Sequence, residues 1–319
     1  MDAIPWRLER AALDALAVKT LLATQFPQLA AQSITRLGEG WDCETWLIDE
    51  AWVFRFPKRE GVQASLVREA LLLPLLAERL HVRLPVPQWS GRPCENFPFT
   101  FSGYGLVPGR TWNWSARPSR RLAAFEADFI AFLNGLHGST AEARRALAQA
   151  GGSYPEDDAP IDWTAELARV RDLLTEHLSS ETLVEVAPLL VGDLQPPDAF
   201  RGEKVLLHFD LSEDHVFMDD AGHVLGVIDW ADAGFGDPAV DFIEATIWLG
   251  PAFLERAIAG YRHPVDAGFR HRVRYGASVV ALLNLAYAVE RGDGARAARR
   301  QHHLEAVMRP AGELVSWHR

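Results

Sequence analysis

The sequence predicts an α+β protein of two lobes, a small β-rich one followed by a larger and mainly helical one. Three observations carry that expectation. Residues 33–56 hold three short apolar runs separated by Gly38-Glu39-Gly40 and by Asp49-Glu50, the pattern of an antiparallel meander. From residue 118 onward, most apolar residues recur at helical spacing. Within that helical half lies VLLHFDLSEDHVFMDDAGHVLGVIDWADAGFGDPAVDF, residues 205–242, where His208, Asp210, His215, Asp229 and Asp237 alternate with short apolar runs.

Each element has its own signal. Residues 6–25 place Leu8, Ala12, Leu13, Leu16, Leu21 and Leu22 at helical spacing. Residues 33–37, 43–48 and 52–56 are the strands of the meander. A helix is expected over 62–81, with Leu66, Ala70, Leu73, Leu76, Ala77 and Leu80 on its inner face and Pro85 and Pro87 beyond its end. A strand over 98–107 closes at Pro108-Gly109, so the first lobe spans residues 1–105 and the second 106–319. Helices follow over 118–136, 163–177 and 181–190, with turn-rich segments at 151–160 and 192–197. Residues 205–207, 216–218 and 224–228 read as short buried strands, the last two joined by a turn at Asp219, Asp220 and Gly222. Asp237-Pro238 is a helix-start signal, and 238–249, 252–261, 267–289 and 295–317 are helical.

Composition narrows the class. The 319 residues are enough for two lobes and a large core. With 48% hydrophobic and 24% charged residues, an ordinary soluble globular protein is expected. No apolar run is long enough for a membrane span and no signal peptide is visible, so a cytoplasmic protein making no membrane contact is the expectation. Cys43 and Cys94 form neither a metal-ligand spacing nor a disulfide framework, which suits a reducing compartment. A formal net charge of −11 argues against a nucleic-acid partner. It is compatible with a cationic small substrate, although an acidic surface that serves solubility is the commoner reason for such a charge.

The chemistry concentrates in residues 205–242. Asp210 follows a buried strand, where a carboxylate either caps a turn or accepts the proton of a substrate hydroxyl. His215 and Asp229 stand beside strands five and nineteen positions later, and both can ligate a metal. Asp229 is the better ligand for magnesium, which prefers oxygen. In combination, His208-Phe209-Asp210, His215, Ile228-Asp229-Trp230, Gly236-Asp237-Pro238 and Asp241-Phe242 resemble the motifs of the kinase-like antibiotic phosphotransferases, the aminoglycoside and macrolide kinases. The resemblance spans roughly residues 33–262 and is strongest at 205–242. Two positions depart from the commoner pattern: Phe209 stands where glycine or asparagine is usual, and His215 where asparagine is. Histidine there is similar to the macrolide kinases and the aminoglycoside 2''-phosphotransferases.

The resemblance implies a protein-kinase-like bilobal fold and a set of roles. Asp210 is the expected catalytic base, His215 and Asp229 the expected magnesium ligands, and His208 a residue that orients the loop by hydrogen bonding. Gly38 and Gly40 would form a turn over the nucleotide phosphates, although a Gly-x-Gly alone is more often a hairpin turn. Arg55 aligns with the family's phosphate-contacting lysine, with Glu69 as its partner; Lys58 is the competing cation, or else faces solvent. Tyr104, Leu106 and Val107 would form the hinge that binds the purine. Asp232, Glu244 and Glu290 are the acids expected to contact the acceptor, while Gly234 to Asp237 and Asp241 shape the loop. Trp112, Trp114, Trp230, Trp248 and Tyr287 either line a stacking surface or pack in the core. The implied reaction moves the terminal phosphoryl group of ATP or GTP to an aminoglycoside hydroxyl, in a monomer. A macrolide or a small metabolite alcohol is the alternative acceptor, and a nucleotide-binding pseudoenzyme the alternative class.

Overall fold

Alternating apolar residues build the first lobe into a five-stranded antiparallel sheet. In the computed structural model, which describes residues 12–40, 42–111, 119–150, 163–191 and 197–308, helix α1 (Ala15–Gln25) leads into β1 (Ile34–Glu39), β2 (Cys43–Ile48) and β3 (Trp52–Pro57). Helix α2 (Gln63–Ala77) follows, and β4 (Trp89–Gly91) and β5 (Phe101–Gly105) complete a sheet of order β1-β2-β3-β5-β4. Phe54 and Phe56 of β3 pack with Trp46, Ile48, Phe97 and Phe101 against Val18, Leu21, Leu22 and Phe26. Period-two alternation then turns Val53 and Arg55 to the opposite face. The predicted meander is present, with Gly38 inside β1 at a β-bulge rather than in the turn. Strand β4 is an addition that the sequence pattern did not signal.

Helix α2 is rotated from the expected orientation. Its buried side is Ser65, Leu66, Glu69, Leu72, Leu73 and Leu76, while Ala70 and Ala77 are exposed. The cause is a charge: Glu69 turns inward to meet Arg55. The far end of the helix belongs to the other lobe, since Leu72, Leu73, Leu76 and Leu80 share one core with Phe125, Phe129 and Phe132.

The second lobe opens with β6 (Arg110–Thr111), α3 (Ser119–Gly138), α4 (Thr140–Gln149), α5 (Trp163–His177) and α6 (Ser180–Leu190). Then come β7 (Val205–Leu207), β8 (Val216–Met218), β9 (Val224–Val227), β10 (Gly234–Gly236), α7 (Ile243–Leu249), α8 (Pro251–Gly260), α9 (Phe269–Glu290) and α10 (Gly294–Met308). The strands make two small sheets, β6-β8-β9 and β10-β7. The 22 residues of α9 form a rod about 33 Å long, on which α5, α7 and α10 pack. Gly276 admits Ile243 there, whose Cδ1 lies 2.4 Å from where a Cβ would stand.

Differences from the sequence reading are local. Helix α4 was not expected, because only Ser139 separates it from α3. The helix expected from residue 238 starts at Ile243, after a 3-10 turn at Val240–Phe242. Residues 6–11, Trp41, Trp112, Trp114, the segments 151–160 and 192–196, and residues 309–317 lie outside the described residues. Among the described residues no helix is long and apolar enough to cross a membrane.

The two lobes are tied by backbone as well as by side chains. Arg83, after α2, pairs in parallel with Gly226 of β9: its N–H donates to Leu225 O at 2.8 Å, and its carbonyl accepts from Val227 N at 3.0 Å. A Cβ on Gly226 would lie 2.2 Å from Val107 Cγ1 and 3.0 Å from Arg83 O. Gly226→Ala is therefore expected to lower the unfolding free energy by about 1–3 kcal/mol through overpacking, read from urea denaturation. An unchanged midpoint would show that this junction tolerates a methyl group.

Candidate active site

The loop between β7 and β8 is held by one buried carboxylate. Asp241, in the 3-10 turn before α7, accepts from His208 N at 3.0 Å and Phe209 N at 2.9 Å. Its Oδ2 also meets His137 Nε2 of α3 at 3.1 Å, and His137 Nδ1 pairs with the Tyr261 hydroxyl. A carboxylate accepts only, so His137 carries its proton on Nε2 and receives the tyrosine O–H on Nδ1. These fixed partners hold Phe209 in the left-handed region, φ 71°, which costs a non-glycine residue roughly 1–2 kcal/mol. The Phe209 ring lies over Gly234 and Gly236 of β10, where a Cβ on Gly236 would stand 2.8 Å from Phe209 Cζ. Phenylalanine is accommodated at this position because the facing strand is built of glycines.

His208 is fully buried and neutral. Its Nε2–H donates to Ile228 O at 3.0 Å, Nδ1 accepts from Asp210 N at 3.3 Å, and the ring sits edge-on to Trp230 at 4.6 Å. Burial pushes its pKa down to about 4, against the opposing pull of Asp241. As the sequence reading expects, it orients the loop; its hydrogen bonds link the backbone of Asp210 to the end of β9.

Asp210, His215, Asp229, Arg55 and Glu69 converge. His215 Nδ1 lies 2.9 Å from Asp210 O and 3.4 Å from Asp210 Oδ2, while its Nε2 lies 3.5 Å from Asp229 Oδ2. With Nδ1–H donated to the Asp210 carbonyl, Nε2 is the ring nitrogen that faces Asp229. Asp229 has φ 62°, a second left-handed residue at the same centre. From the other lobe, Arg55 Nη1 contacts Glu69 Oε2 at 2.7 Å and its Nη2 contacts Asp229 Oδ1 at 3.5 Å. Burial raises the Asp210 carboxyl above its usual range, and His215 only partly opposes this. Burial works against the charge on Asp229, but Arg55 and His215 outweigh it and hold that carboxyl low. His215 is raised, the Asp210 and Asp229 carboxylates overcoming its burial. Burial likewise opposes the Arg55 charge, yet Glu69 and Asp229 keep the guanidinium protonated.

The donor set fits a hard divalent cation of a particular kind. Among the described residues no three His, Cys, Asp or Glu side chains gather as a metal cage. The Asp229 oxygen beside the His215 nitrogen, whose ring is fixed through its other nitrogen, suits a cation that keeps water and phosphate oxygens as its remaining ligands.

The remaining expected residues fall in several places. Gly40 O accepts from Lys58 Nζ at 2.6 Å, and Gly40 N donates to Cys43 O at 3.0 Å, closing the turn. Lys58 is only 2% exposed, which corrects the solvent-facing alternative: it braces the glycine turn. Tyr104 and Val107 form a buried apolar patch with Val53, against which Leu47, Phe217 and Ile228 of both lobes pack. Leu106 is exposed, and its N–H is taken by Ala51 O at 2.7 Å. Asp232 is exposed; burial by neighbouring atoms and then the Asp229 and Asp42 charges raise its carboxyl. Glu244 accepts from Asn284 Nδ2 at 3.0 Å and Trp248 Nε1 at 3.2 Å. Glu290 pairs with Arg169 at 2.8 Å on the surface, and no described contact joins it to the Asp210 cluster. Trp230 and Trp248 are core residues, each 1% exposed.

With this geometry in place, comparison with known proteins is informative. A model of the phosphotransferase enzyme family matches residues 33–274. The chain belongs to that family. An uncharacterized protein of Bacillus subtilis (strain 168), YcbJ, is 27% identical over 271 residues, 82% of each chain. Among solved structures, the GDP complex of aminoglycoside 2'-phosphotransferase-IIIa is 24% identical, with a TM-score of 0.69 over 93% of this chain and 99% of that one. A macrolide 2'-phosphotransferase of Brachybacterium faecium, solved without ligand, is 23% identical, with a TM-score of 0.59 over 94% and 100%. The kinase-like α+β bilobal fold is thus shared by this member of the phosphotransferase family.

Sequence reasoning gave Asp241 only a loop-shaping role and did not find His137 or Tyr261. Both lie at apolar helix spacing far from the motif, and only the fold brings them to Asp241. Asp241→Ala leaves two backbone N–H groups and His137 unsatisfied, and is expected to cost about 3–5 kcal/mol in urea unfolding. His208 adds a pH dependence. Its folded pKa of about 4 lies below the unfolded value, so the unfolded chain binds its proton first as pH falls. Stability is expected to drop by about 3 kcal/mol between roughly pH 6.5 and pH 4 from this residue, which faces Asp241, His215 and Asp229. A His208→Asn variant should show a smaller drop over the same window; an identical drop would assign the titration elsewhere.

Proposed function

We propose that this chain transfers the terminal phosphoryl group of a nucleoside triphosphate, ATP or GTP, to a hydroxyl of a small-molecule acceptor. The observation that carries the reading is the convergence of Asp210, His215 and Asp229 of one lobe with the Arg55–Glu69 pair of the other. Two carboxylates that face one imidazole from either side, with a buried guanidinium beside them, have little structural purpose together. They match what phosphoryl transfer asks of a protein, which is positioning and charge neutralisation.

The residues divide the work. Asp210, whose carboxyl burial raises above its usual range, accepts in its ionised form the proton of the acceptor hydroxyl as its oxygen attacks the terminal phosphorus and the bond to the departing nucleoside diphosphate breaks. His208 fixes the Asp210 backbone, and Asp241 fixes both. Asp229 and His215 would hold magnesium, whose chemistry is to neutralise phosphate charge. Arg55, kept charged by Glu69, serves as the phosphate clamp, and the turn at Gly40, just past the β1 bulge at Gly38, covers the phosphates, braced by Lys58. The purine would lie against Val53, Tyr104 and Val107. Since the Leu106 N–H is occupied by Ala51, its part in the hinge would be limited to its carbonyl and side chain. The resemblance puts the acceptor among aminoglycosides, macrolides or simple alcohols, with Asp232, Glu244 and Glu290 as the acids considered for it.

Asp210→Asn is expected to reduce phosphoryl transfer at least about a hundredfold while nucleotide binding persists, measured by coupled nucleotide turnover with ATP and GTP in parallel. Retained turnover would remove Asp210 from the mechanism. Asp229→Ala should abolish the magnesium dependence of nucleotide binding in calorimetry with and without the metal. Of Arg55→Ala and Lys58→Ala, the former should give the larger rise in nucleotide KM.

A further inference from the structure

We propose that the acceptor of this site carries no more than one positive charge, because among the described residues the protein's own arginines already neutralise the carboxylates beside Asp210 that a polycation would require. The inference rests on the phosphotransferase reading and narrows its substrate class. Among the described residues, three acids stand near one another on the helical-lobe side of the Asp210 loop: Glu213 and Asp214 in that loop, and Glu244 on α7. Asp214 is ion-paired with Arg296 of α10. Glu213 lies 3.5 Å from Arg300, one turn further along α10, with both side chains under a tenth exposed. Glu244 already accepts from Asn284 and Trp248, and Arg300 is near enough to act on its charge. Glu290, the outermost candidate, is paired with Arg169.

A ligand bearing several ammonium groups needs several carboxylates that are both reachable and unpaired. Here a buried pair such as Glu213 with Arg300 would have to be broken first, leaving an uncompensated buried charge. Arg296 and Arg300 also place two positive charges beside the loop, which offset the attraction of their partner acids for a second or third ammonium. Among the described residues, and apart from Asp210, Asp229 and the arginine-paired acids, the exposed carboxylate of this region is Asp232, which has one charge to offer. A mostly hydroxylic acceptor, neutral or with a single ammonium, matches that balance.

Calorimetry with kanamycin as the polycationic probe, in the presence of nucleotide and magnesium, tests the inference directly. The wild-type chain is expected to bind it weakly or not at all, whereas Arg296→Gln, which frees the partly exposed Asp214 without opening the buried pair, should bind it roughly three- to tenfold more tightly. Tight wild-type binding, or no gain in the variant when circular dichroism shows it folded, would overturn the proposal. Turnover on a panel of polycationic, monocationic and uncharged hydroxyl compounds, repeated with Asp210→Asn, separates the two layers. Turnover that depends on Asp210 but favours polycations would sink the charge inference alone, whereas turnover indifferent to Asp210 would sink the phosphotransferase reading.

Discussion

The carboxylate of Asp241 is the contact on which the site depends. It receives two consecutive backbone N–H groups, those of His208 and Phe209, and an imidazole N–H from α3. A loop that must run through a left-handed residue loses its regular backbone partners, and a buried N–H without a partner is costly. One acid supplies both partners at once, so the turn at Phe209 becomes the favoured conformation. Its consequence is directional. With Phe209 fixed, Asp210 leaves the end of β7 toward His215 and Asp229, and β10 must carry glycines where the Phe209 ring crosses it. The chain His137, Asp241, His208 and Ile228 thereby ties α3, the loop and β9 into one unit.

The two lobes share more than a crossing strand. Helix α2 donates Glu69 to the sheet's functional face and its leucines to the helical core, so a shift of one lobe is felt by the other through a single rigid element. The Arg83 bridge to β9 fixes the same junction from the backbone side. Asp229 is placed just beyond that bridge and within reach of Arg55, so the distance between cation and carboxylate is set by packing at the lobe junction.

Much of this was legible in the sequence, for identifiable reasons. Strands β1 to β3, β7 to β9 and the long α9 follow plain periodicity, and the His208 to Asp241 motif compresses most of the site into one segment. What was hidden depends on tertiary context. Helix α4 follows α3 so closely that no loop marks the boundary, and β10, Gly-Phe-Gly, has no strand propensity and exists because β7 pairs with it. The inner face of α2 was misjudged because periodicity counts methyl groups, whereas the ion pair of Glu69 decided the rotation. For Lys58 the sequence leaves a competing phosphate cation or a solvent-facing one, and neither reading includes the Gly40 carbonyl that it meets: a charged side chain reads as exposed until such a partner is known.

The same geometry explains why an arginine suits position 55. A lysine ammonium presents its donors from one nitrogen, so its contacts to Glu69 and Asp229 would have to converge on a single atom. The guanidinium is a planar fork with separate N–H groups, and here one nitrogen takes Glu69 while the other reaches across the lobe junction to Asp229. The two contacts are unequal, 2.7 Å and 3.5 Å, so Glu69 sets the position of the side chain and Asp229 is the looser partner. Under the phosphotransferase reading, that looser contact is the one a phosphate oxygen would replace. The pair with Glu69 would stay intact, so the cation would keep its place as a nucleotide entered, and Asp229 would be left to the metal that it and His215 would hold.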